Sequence, residues 1–120
     1  MVEACRENDN PECRAQWQQA VEVYQAALAL EPARTDAHFG LGVVHFLLGE
    51  SELAIAALEH AHAQAPGAPR ISLFLGEAYR LVGKPERASW HLLRTMRWEV
   101  EPEWRDKARE AVRLLNPTSR

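Results

Sequence analysis

Cysteine is scarce in this sequence: its 120 residues hold two, Cys5 and Cys13, and two cysteines alone make no zinc site. A surplus of positive charge is also missing. With a formal net charge of −3 the chain lacks the basic surface that displaces counterions from phosphates, so nucleic acid is not an expected partner. Long apolar runs are absent. The best candidate, Ala37 to Leu48, is interrupted by His38 and His45 and is shorter than the roughly 18 to 20 residues that cross a bilayer, so no membrane insertion is expected. The chain does not open on a charged segment followed by an apolar one, so no secretory signal is expected either. Nor does it contain a Gly-rich phosphate loop, a nucleophile elbow or a paired-carboxylate site, which leaves no basis for an enzyme, a cofactor or a resident metal.

What is present suits one small globular domain: 47% of residues are apolar and 26% charged, enough to bury a modest core. Charge is unevenly distributed. Residues 1–79 hold 4 Lys/Arg and 11 Asp/Glu, whereas residues 80–120 hold 10 and 6, a polarity that fits a plain solvated surface, head-to-tail stacking or an oriented partner.

The dominant signal is a period of 34 residues. Leu41-Gly42 returns as Leu75-Gly76, Leu47 as Leu81, Gly49 as Gly83 and Pro32 as Pro66, while Ala20 recurs as Ala54 and Ala88. Each unit has the spacing of two helices. Leu41, Val44, His45 and Leu48 share one face until Gly49 supplies a left-handed stop. Ala54, Ile55, Leu58, Ala61 and His62 share another until Ala65, Pro66 and Gly67 break it. The next unit repeats this over Ser72 to Val82 and Glu86 to about Trp98. Small residues at Gly42, Gly76, Ala54 and Ala88 let the two helices of a hairpin approach closely. Asn10-Pro11 makes a good cap and first turn for a first long helix. Trp104, Ala108, Ala111, Val112 and Leu115 form the apolar stripe of a last one.

These residues resemble the tetratricopeptide signature of an aromatic, Leu-Gly, Tyr, Ala, a large apolar residue and Pro. Trp17 to Pro32 is similar to the second helix of such a repeat. Leu41-Gly42, Ala54, Leu58, Ala61 and Pro66 mark the next, and Leu75-Gly76, Tyr79, Ala88 and Leu92 the last. The departures are His38 and Ser72 at the first aromatic, His45 at the tyrosine and Val100 at the closing proline. The resemblance implies an all-α, right-handed superhelical stack of antiparallel hairpins, about two and a half repeats long. Its expected parts are an arm or short turn over 1–10, a partial repeat over 11–32, repeats over 35–66 and 69–100, and a capping helix over 103–116. A longer array, of which this chain is one part, has the same signature.

The family lines the concave side of its superhelix with the first helix of each hairpin. Transferred by register, that face comprises Asp36, Phe39, Val43 and Phe46 beside Arg70, Leu73, Glu77 and Arg80. Phe39, Val43 and Phe46 make a second apolar stripe on a helix that needs only one for packing, and the excess points to a covering group: a partner, the N-terminal arm or a neighbouring subunit. The implied function is a protein-interaction module holding a partner's peptide or helix in this groove, with Arg70 and Arg80 orienting acidic groups. The alternative is a self-assembling scaffold, a homo-oligomer or a subunit of a larger array. Phe39 and Val43 stand where relatives that grip carboxylate tails carry Lys and Asn, so that mode is not expected.

His38 and His45 occupy places the family fills with buried aromatics, and His60 and His62 point apart on a helix, which disfavours chelation. Trp17, Trp98 and Trp104 fit packing positions, while Trp90 lies off the stripe and is free to anchor an interface. Cys5 and Cys13 admit free thiols, a nucleophile or a disulfide. A continuous helix would hold them about 12 Å apart, but the turn-forming Asn8-Asp9-Asn10-Pro11 allows the arm to fold back for sulfur contact. The expectation is a pair that tethers the arm, which would mean an oxidising compartment, periplasmic or secreted; without it the default is cytoplasmic. Thiol titration of oxidised protein under denaturing, non-reducing conditions should find no free thiol, and two free thiols would end the idea. If paired, the loop should contribute up to about 2 to 3 kcal/mol.

Overall fold

The structure is a computed structural model that describes residues 11–97 and 102–115, the side chains of Arg97 and Trp104 excepted. The expected arm with Cys5, the residues Trp98 and Val100, and Asn116 lie outside the described residues. Six helices and no strand occupy the described residues: α1 Pro11–Leu30, α2 Thr35–Leu47, α3 Ser51–Gln64, α4 Pro69–Leu81, α5 Pro85–Arg97 and α6 Pro102–Leu115. Helix α2 packs on α3 and α4 on α5 as the two tightest pairs. Helix α1 lies against α2, α3 against α4, and α6 against α5 and α4. No helix among these residues is long and apolar enough to cross a membrane.

Both hairpin turns are built the same way. Gly49 and Gly83 take φ of +81° and +79°, the left-handed region that a side chain would strain. At the first turn Gly49 N–H bonds the Phe46 carbonyl at 3.1 Å and Glu50 N–H the His45 carbonyl at 2.9 Å. Gly83 N–H with Arg80 (3.1 Å) and Lys84 N–H with Tyr79 (3.0 Å) repeat the pattern, satisfying carbonyls that the helix end would otherwise leave open. His45, buried at the family's tyrosine position, shares a 2.8 Å hydrogen bond with Glu50 and so ties α2 to the start of α3.

Within each hairpin the helices meet at glycine. A Cβ on Gly42 would stand 2.5 Å from Leu58 Cγ and 3.3 Å from the Ala54 carbonyl; on Gly76 it would stand 2.5 Å from Leu92 Cγ and 3.3 Å from the Ala88 carbonyl. Leu58, Leu75 and Leu92 are fully buried there, in a core running from Ala54 through Ile71 and Tyr79 to Ala108 and Ala111. Several residues of the expected packing stripes are only partly buried, Ile55, His62, Val112 and Leu115 among them. Leu41 and Trp17 are only half-buried. His38 is half-buried too, donating from Nε2 to the Pro32 carbonyl at 2.9 Å and stacking on His60 at 4.8 Å. Trp17 stands on α1, whose one buried side chain is Cys13, so that helix presents much of its surface to solvent.

A polar seam joins the hairpins. The buried His91 ring stacks on Tyr79 at 5.6 Å and meets His62 edge-on at 5.1 Å. The Tyr79 hydroxyl donates to Glu59, and Arg94 lies over the exposed Trp90 ring at 4.7 Å. Burial pushes His91 down to about 4, against the pull of Glu59 and with the help of His62, Arg94 and Arg87.

Two expectations follow from this packing. Gly76→Ala gains up to about 1 kcal/mol of helix propensity but forces the Leu92 branch point aside, so a net loss on the order of 1 to 2 kcal/mol should appear in urea melts. The second concerns acid. Between pH 6.5 and 4 the unfolded chain binds a proton at His91 that the folded chain refuses, so this contribution is complete above pH 6.5 and is lost as pH falls toward 4, by up to about 3 kcal/mol. Urea midpoints across that range should fall more steeply for the wild type than for His91→Phe.

Candidate partner-binding groove

Helices α2, α4 and α6 stand along one side of the stack, with α3 packed behind α2 and α5 behind α4. Between them lies a cavity of about 600 Å³. From α2 it is lined by Val43, Phe46 and Leu47, and from α4 by Leu73, Phe74 and Glu77. From α6 it receives Glu103, Asp106, Lys107, Glu110, Ala111 and Leu114. These α6 residues fall at intervals of three and four, one stripe of a helix. Phe74 anchors the floor, its ring edge-on to both Phe39 and Phe46 with centroids 5.7 Å away in each case.

Four of the eight residues transferred by register therefore meet at one cavity: Val43, Phe46, Leu73 and Glu77. Leu73 is only 4% exposed, so it closes the floor and belongs to the core. Phe39 joins through its contact with Phe74. Asp36, Arg70 and Arg80 do not line the cavity. Asp36 is exposed and accepts from Arg34 Nε at 2.8 Å, a hydrogen bond that holds its carboxyl below the usual value. Arg80 Nε donates to Glu77 at 3.1 Å along its own helix.

Phe74 and the α6 wall are the residues sequence reasoning missed. Position 74 corresponds by the 34-residue period to Gly40, where the Tyr24 ring takes the space, since a Cβ there would stand 2.3 Å from it. The change from glycine to phenylalanine at one register position was the available signal. For α6 it was the spacing of Glu103, Asp106, Lys107, Glu110 and Leu114, which a reading of the helix as a cap alone passes over. A second cavity, of about 490 Å³, is lined by Trp90, Leu93, Arg94 and Met96 on α5. Among the described residues no group of three or more His, Cys, Asp or Glu side chains converges as metal ligands would.

Cys13 is buried on α1, while Cys5 lies outside the described residues, so their pairing stays a proposal.

Comparison with known proteins agrees with this architecture. Residues 14–69 match the family described as Tetratricopeptide repeat. No curated protein matches the chain. Among solved structures, the Yersinia enterocolitica type III secretion chaperone SycD, in complex with a peptide of the translocator YopD, superposes with a TM-score of 0.77 at 18% identity. That match covers 88% of this chain and 84% of SycD. PcrH, in complex with the chaperone binding region of PopD, gives 0.74 at 18% identity over 88% of this chain and 83% of PcrH. A thermophilic TPR protein of Thermus thermophilus gives 0.76 at 26% identity, over 92% of this chain and 58% of that protein. Residues 14–69 thus carry tetratricopeptide repeat sequence, and the described helices form a tetratricopeptide-like stack.

Proposed function

We propose that the chain is a protein-interaction module that holds a peptide or helix of a partner protein in the groove between α2, α4 and α6. The observation that carries this is the groove itself: Val43, Phe46, Leu47 and Phe74 are only partly buried along it and Leu114 is 54% exposed, Phe46 and Phe74 lining it from the edge of the core they pack against. Apolar side chains left in water beside a cavity favour a ligand that covers them. SycD and PcrH are similar in fold and were solved with peptide segments of YopD and PopD, which supports peptide capture as the use of such a stack. The reading assigns the chain no catalytic step. Asp36, Phe39, Arg70 and Arg80 then frame the groove rather than contact the occupant's anchors.

Val43→Glu tests the assignment. In the free protein the new carboxylate should stay hydrated at the groove, leaving the helical signal and melting temperature close to wild type. In a complex it would be buried without a partner, at a cost of several kcal/mol, on the order of a hundredfold or more in affinity. Affinity capture from the native host should therefore lose groove-bound partners. Leu75→Glu, at a fully buried position, should instead unfold the protein. A folded Val43→Glu variant that retains every partner would move the binding site elsewhere.

A further inference from the structure

The groove has one apolar side and one charged side. Helix α2 contributes only Val43, Phe46 and Leu47, whereas the α6 wall and the facing turn of α4 contribute Glu77, Glu103, Asp106 and Glu110 against Lys107 alone. The arrangement runs against the local composition, since the chain beyond residue 79 is rich in Lys and Arg. It arises because α6 sorts its charges by face. Arg105, Arg109 and Arg113 recur every fourth residue on a different stripe from the groove acids. Two of them reach back along the surface, Arg109 to Asp106 at 3.2 Å and Arg113 to Glu110. Those pairs are solvent-exposed, with side chains 51% to 71% accessible, so they are weak and readily exchanged for another cation. Arg80, expected from the sequence to receive acidic groups, is engaged by Glu77 instead.

We infer that the occupant of the groove is a partner segment in which lysine or arginine flanks the apolar anchors, the anchors seating on Val43, Phe46 and Phe74 and the cations meeting the α6 carboxylates. This rests on the groove reading above. Charge complementarity carries the choice: with Glu77 held by Arg80, an acidic segment would still set like charge against the three α6 carboxylates beside a low-dielectric wall, whereas a basic one is steered in and oriented by them. The apolar α2 side and the charged α6 side also give the segment a direction, with its cations toward α6.

A matched pair of synthetic peptides tests this, one of leucine and lysine and one of leucine and glutamate with the same apolar spacing. Binding is read by titration calorimetry and by backbone amide shifts of the labelled protein. The lysine peptide should bind about tenfold or more tightly at low salt, shifting the Val43, Phe46 and Phe74 amides, and the preference should shrink as salt screens it. Glu103→Gln combined with Asp106→Asn, with folding checked by helical signal, should reduce lysine-peptide affinity several-fold. Equal affinity of both peptides, with the same amides shifted, would overturn the cation preference and leave the groove reading standing. So would full lysine-peptide affinity in the folded double variant. Absence of groove shifts with either peptide would overturn the groove reading and this inference with it.

Discussion

Everything in this structure depends on how closely two helices can approach at Gly42 and Gly76. With no side chain at those positions, Leu58 and Leu92 seat directly against the backbone of the facing helix. The pair then buries enough apolar surface to act as a unit, which neither short helix could do alone. The left-handed glycines at 49 and 83 serve the same contact, turning the chain tightly enough that the second helix begins beside the end of the first. A hairpin made this way has a finished interior and two remaining faces, and stacking consumes one of them.

The groove is what stacking leaves over. Phe74 is the residue that converts a packing surface into a lined cavity, because it stands between two phenylalanines of the preceding hairpin at a position where the earlier unit has glycine. Helix α6 then serves two ends. Ala108 and Ala111 close the core beneath it, and its neighbouring stripe supplies the charged wall of the groove. A helix whose apolar side satisfies the stack can vary its remaining faces without touching stability, which makes it the natural place for selectivity to reside.

The fold was legible in the sequence because its determinants are local or repeat with the period. Left-handed stops, small residues at helix crossings and the prolines between successive units, Pro32 and Pro66, mark the hairpins before any contact is known. The site was legible only in part. Register placed Val43, Phe46, Leu73 and Glu77 on one face, and these four line one cavity, since equivalent positions on stacked hairpins face the same way. Arg80, put on the same face by register, lies off the cavity lining and is held by Glu77, an ion pair that periodicity does not report. Register also missed Phe74 and the α6 wall, because both break the repeat: one changes size at an equivalent register position, and the other follows the last repeat. Leu41 is the converse case. Its spacing suits the core, yet it is half-buried, while Val44 and Leu48 on the same face are buried.

Because each hairpin touches chiefly its neighbours, resistance to local opening is set by position along the stack. Helix α4 sits in the middle with seven buried residues, from Ile71 to Tyr79, whereas α1 buries Cys13 alone along its twenty residues and leaves Leu30 85% exposed. Amide protons of α4 should therefore exchange with solvent more slowly than those of α1. The groove floor belongs to the slow-exchanging centre. A ligand there would meet a surface whose floor belongs to the most deeply buried of the described helices.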